Sequence, residues 1–126
     1  MRSYMIIFVI LAILIGGSVW GNRYITTSTQ KLVQTIEQVD ERLDNQDWDQ
    51  ANVHLQLLKK DWVETKDVWS VLVHHQEIDT IDIAIMRLTE YFQANNSVLA
   101  AGELATLRLL YEHIADTESF NLKNIF

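Results

Sequence analysis

The densest group of chemistry-bearing side chains in this sequence is the run His74-His75-Gln76-Glu77-Ile78-Asp79-Thr80-Ile81-Asp82. On a helix, His75 and Asp79 stand one turn apart, as do Asp79 and Asp82, so an imidazole and two carboxylates can share a face. Nitrogen and oxygen donors of this kind ligate zinc or iron. The paired Glu-x-x-His motifs of di-iron bundles are missing, however, and no second clustered pair accompanies the first. The alternative is a solvated helix start, where acidic residues favour the positive end of the helix dipole. His75, Asp79 and Asp82 are therefore weak metal candidates, and no cofactor is expected.

Trp48, Trp62 and Trp69 fall on one helical face. Such rings usually belong to a core, each burying about 150–250 Å²; the other reading is an aromatic stripe facing a partner. His54 and His113 are isolated. No serine, threonine or lysine sits in a local nucleophile motif, and no glycine-rich loop is present to cradle phosphate. The expectation is a non-enzymatic chain.

The elements that position these residues begin with a run from Ser3 to Asn22 that carries no charge. Twenty helical residues span about 30 Å, the hydrocarbon thickness of a bilayer. Tyr4 and Trp20 stand near its two ends, where amphipathic rings favour headgroups, and Arg2 and Arg23 bracket it. Residues 1–23 are thus expected to form a single-pass anchor contacting lipid through 3–22. A cleaved signal peptide is the rival, with Gly16, Gly17, Ser18 and Gly21 as its small residues and Val19-Trp20-Gly21 as a poor cleavage site. Basic residues are nearly balanced across the run, so orientation rests on the two-residue leader. It favours the N-terminus inside and the remainder extracytoplasmic. Ala12-x-x-x-Gly16 and Gly17-x-x-x-Gly21 are spacings that let a second membrane helix approach, from another protein or another copy.

From residue 23 onward, 17 acidic residues face nine basic ones, a formal charge of −8. That balance repels phosphate backbones and anionic headgroups, which argues against nucleic acid. There is no proline, and after Gly21 only one glycine, Gly102. With breakers this scarce the chain reads as all-α.

Periodicity divides residues 24–118 into a bundle of about four antiparallel helices, two helical hairpins. Ile25, Thr29, Leu32, Ile36, Val39 and Leu43 stripe the first helix, and Asn45-Gln46-Asp47 supplies a turn and a cap. Trp48, Ala51, Leu55, Leu58, Trp62, Thr65, Trp69 and Leu72 stripe the second. Ile78, Ile81, Ile85, Leu88 and Phe92 mark a third. After the turn Ala94-Asn95-Asn96-Ser97, with Ser97 as cap, Ala100, Leu104, Leu107, Tyr111 and Ile114 mark a fourth that ends near Thr117.

The step from Leu72 to Ile78 breaks the alternation. Either residues 73–77 form a tight connection or one helix runs from Trp48 to Phe92, and a turn is preferred because it buries more apolar area. A shift of 49 residues superposes both turns and carries Ala51, Leu55, Leu58 and Trp62 onto Ala100, Leu104, Leu107 and Tyr111. Two similar hairpins explain this, as do two degenerate tetratricopeptide-like repeats. Residues 119–126 hold large apolar side chains without period, a tail expected to fold back on the bundle or enter a partner.

An apolar N-terminal helix, Asp47-Trp48-x-x-Ala51, Trp62, Trp69, His75-x-x-Ile78-Asp79-x-Ile81 and Leu122-x-Asn124-Ile125-Phe126 resemble a domain-of-unknown-function family of small Gram-positive bacterial membrane proteins. The resemblance implies a single-pass helical protein with no known activity and no assigned site, often encoded beside another small membrane protein, which adds weight to a partner-binding role. The leading expectation is a membrane-anchored interaction module, an accessory subunit of a membrane complex, with Trp48, Trp62 and Trp69 as interface candidates. The alternative is an extracytoplasmic sensor that binds a ligand or metal.

Overall fold

The structure, a computed structural model, describes the backbone of residues 1–125 and the side chains of residues 1–120 and 123. Four helices, α1 (Arg2–Asp44), α2 (Trp48–Leu72), α3 (His75–Gln93) and α4 (Ser97–Ile125), account for nearly all of it, and no strand occurs among the described residues. Each helix packs on its neighbours in sequence, and α1 also packs on α4. The diagonal pairs stand apart at the backbone, and α2 and α3 touch least. This is an up-down-up-down bundle.

The stripes predict the interior well. Ile25, Leu32, Ile36, Val39 and Leu43 of α1 are all buried, and Thr29 is buried at the step between Ile25 and Leu32. The equivalent rows of α2, α3 and α4 close on them, with Trp48 and Leu72 half-buried at the two ends of α2.

Both hairpin turns have the same construction. After α1, the Gln46 N–H donates to Leu43 O at 3.0 Å and the Asp47 N–H to Arg42 O at 2.9 Å. After α3, the Asn95 N–H donates to Phe92 O at 3.1 Å and the Asn96 N–H to Tyr91 O at 2.9 Å. This is the Schellman pattern, which needs one left-handed residue; Gln46 (φ 57°) and Asn95 (φ 53°) supply it where glycine is usual. Asp47 Oδ1 then caps α2 by accepting from the Gln50 N–H at 3.2 Å. The cap of α4 is Asn96, whose Oδ1 accepts from the Leu99 N–H at 3.0 Å, and not Ser97, which is already helical. The motif ends one residue after the left-handed position, and that sets the cap.

The broken alternation after Leu72 is a turn of two residues, Val73 and His74, both extended, with Val73 buried as a plug. Two expectations change. The apolar run and the first bundle helix are a single helix, without a break at residue 23. The fourth helix does not stop near Thr117 but continues to Ile125. Phe120 on that stretch is exposed rather than folded back; the other large side chains of the expected tail lie outside the described residues.

Candidate functional site

Asp82 is drawn away from its expected partners. Its Oδ1 accepts from Trp62 Nε1–H at 2.8 Å and its Oδ2 from Lys66 Nζ at 2.6 Å, so it ties α3 to α2, the neighbouring pair in least contact. His75 and Asp79 pair alone, at 3.6 Å on an exposed surface. The three metal candidates therefore do not converge, and among the described residues no three His, Asp or Glu side chains gather as a metal set. Exposed pairs of this kind add little to stability.

Trp62 and Trp69 are core residues and present no face to a partner. Their rings meet edge to face at 5.5 Å, and both meet Tyr111 of α4 across the bundle diagonal, at 5.6 and 5.8 Å. All three rings are buried together in the core. Trp69 Nε1–H donates to Ser28 Oγ at 2.9 Å, so its polar edge is satisfied by α1. The Tyr111 hydroxyl is buried with no partner among the described residues. Burial first, and then the charge of Asp82, push its pKa well above the usual phenol value. Trp48 is half-buried and packs edge-on against Phe92 at 5.4 Å, a lid over the turn-side end of the core.

The N-terminal candidates remain uncovered. Tyr4 is exposed, nothing lies within 4 Å of where a Cβ would stand at Gly16 or Gly17, and Trp20 is exposed but stacked on Tyr24 at 5.6 Å. Gly21 differs. A Cβ there would lie 3.1 Å from Leu72 Cδ2, so this glycine lets α2 close against α1. The helix is long and apolar enough to cross a membrane, and almost none of its apolar window is buried by the bundle.

The structure also holds a groove that no motif announces. Between α1 and α4, Ile36, Leu104 and the small side chains Ala101 and Ala105 floor a hollow of about 260 Å³. Leu109 also lines it and is two-thirds exposed. Its walls are acidic. Glu37 and Asp40 rise from α1 and Glu112 from α4, with Arg108 as the basic side chain among them. Arg108 bonds Glu112 at 3.2 Å and approaches Glu37 at 3.9 Å. Asp40 holds its proton more tightly than an ordinary carboxyl because it is partly buried and near Asp44; Arg108 opposes both effects. Ala101 also lines a second hollow beside the first turn, with Leu43, Asp44 and Val98.

The origin of the groove is volume. Alanines four residues apart on α4 face α1 and leave its floor unfilled. Their spacing is the one sequence signal that could have located it. On the adjoining face of α4, Glu103 is buried and accepts from Arg87 Nε and Nη2 at 3.0 and 2.7 Å, which fixes α3 to α4.

A family described as a domain of unknown function (DUF4363) matches residues 19–125. No curated protein and no solved structure matches the chain.

Proposed function

This chain belongs to the DUF4363 family, whose description carries no activity, and from that premise we propose a non-enzymatic, membrane-anchored interaction module, an accessory subunit of a membrane complex. In this reading residues 3–22 cross the bilayer once and the bundle stands on the extracytoplasmic side. The observation that carries it is the double use of α1, which offers bare apolar side chains over its first twenty residues and a wall of the acidic groove further along.

The groove takes a helix from a membrane partner. Its floor accepts apolar side chains, and its three carboxylates against one arginine select basic residues on the flanks of that helix. A second copy of this chain fits poorly, because it would bring carboxylates against carboxylates.

The chain has no cysteine, so the groove can be labelled singly. A photo-crosslinker on Ala105→Cys in native membranes is expected to join one membrane protein with a basic helical segment. The same label on Gln56→Cys, on the α2 side, is expected to give none, and Leu109→Glu to suppress the product. Equal products from both positions, or none from position 105, would reject the proposal.

A further inference from the structure

The bundle's position relative to the apolar run follows from a few contacts. The last large apolar side chain of the run is Trp20, whose ring type marks the headgroup layer of a span. One residue later Gly21 meets Leu72. At about 1.5 Å of rise per residue, the last turn of α2 therefore stands at the depth of Trp20, not above it. Two turns further along α1, Ser28 accepts from the long indole of Trp69, one turn back along α2, so the two helices stay side by side.

At that depth the α2 end carries Val71, 85% exposed, the barest bundle side chain of its kind. The helix that descends beside it, α4, reaches the same level. Tyr111 of α4 meets Trp69 at 5.8 Å, and Glu118 stands about 10 Å further along α4 toward the apolar run, where Glu77 in the first turn of α3 adds to burial in raising its pKa. Phe120, 62% exposed, is two residues further along, about 3 Å deeper in the same direction. Three helices thus each bring a large uncovered apolar side chain, Trp20, Val71 and Phe120, to one end of the bundle, at depths about a helical turn apart. Leaving such groups in water forfeits their transfer free energy, and the only apolar phase continuous with that end is the one entered by α1.

We infer that this end of the bundle is a second lipid contact, with Val71 and Phe120 seated in the headgroup layer of the bilayer that α1 crosses. The inference rests on the reading of residues 3–22 as a membrane span. The carboxylates near this end, Asp67, Glu77, Asp79, Asp116 and Glu118, outnumber Arg23, Lys66 and Lys123. The contact therefore suits zwitterionic rather than anionic headgroups. The bundle is pressed to the surface as well as tethered to it, and the exposed His74 of the α2–α3 connection and His75 at the start of α3 lie at the water boundary.

Single nitroxide labels on the full chain in phosphatidylcholine vesicles test this. Val71→Cys and Phe120→Cys are the probes, Val53→Cys near the far end of α2 is the aqueous reference, and Ile10→Cys is the deep one. Collision with oxygen relative to a water-soluble nickel complex is expected to be several-fold higher at positions 71 and 120 than at 53, and highest at 10. If 71 and 120 match 53 while 10 remains deep, the second contact is overturned and the span stands. If position 10 itself is open to the nickel complex, the span reading fails and takes this inference with it.

Discussion

The two hairpins are built on one pattern and finished differently. Their turns superpose bond for bond, and their stripes superpose over two helices each. At the opposite end, however, Ser28 and Trp69 correspond to Glu77 and Glu118, each 49 residues further on. In the first hairpin that position is closed by an indole–hydroxyl hydrogen bond around a fully buried ring. In the second it holds two half-buried carboxylates that repel each other. The shared pattern specifies the fold. The difference decides which hairpin is firmly closed beside the apolar run, and it is the one that contains that run.

The largest test of this contrast is a pair of truncations. Trp69→Ala is expected to cost about 3–5 kcal/mol, the usual range for emptying a large buried aromatic site. Glu118→Ala, at the corresponding place, is expected to be neutral or stabilising. Urea unfolding of both variants measures this, and similar losses would mean that the two ends are equally packed.

The turns should respond alike but unequally. Gln46→Gly removes a side chain held in left-handed geometry and is expected to stabilise by about 0.5–1 kcal/mol. Asn95→Gly should gain less, since asparagine tolerates that conformation. A gain at position 95 exceeding that at 46, by thermal melting, would break the equivalence of the turns.

The smallest effect is the dependence on pH. The pKa of Glu118 is raised in the folded chain, by burial first and then by Glu77, and that of Asp40 by burial and then Asp44. For an acid with a raised folded pKa, stability is greatest below the unfolded value and falls as pH rises through the folded one. The melting temperature is therefore expected to climb as pH drops from neutral toward the ordinary glutamate value of 4.5. Glu118→Gln should melt higher at neutral pH and show a shallower climb.

Much of this architecture is legible in the sequence because burial imposes a period. Residues such as Leu32, Leu58, Leu88 and Leu107 must recur every three or four positions to face one core, and both turns carry polar residues that accept a left-handed backbone. What escaped has physical reasons too. The end of α4 is not marked in the sequence because backbone hydrogen bonds carry a helix onward whether or not an apolar stripe continues with them. Ser97 and Asn96 are both good caps, and only the geometry at Asn95 decides between them. The tryptophans were ambiguous because an indole serves a core and an interface equally well, until Ser28 and Asp82 are seen to satisfy Trp69 and Trp62. The groove was hidden because it is made by what alanine leaves out.

The unbroken course of α1 has a mechanical consequence. A flexible joint would let the apolar run and the bundle swivel independently, whereas one helix locks their azimuths together. Rolling the run about its axis sweeps Glu37 and Asp40 through the same arc, and a single residue inserted near Arg23 would swing them by about 100°. The first helix is a drive shaft as well as a tether, and whatever grips its apolar end sets the compass bearing of the groove.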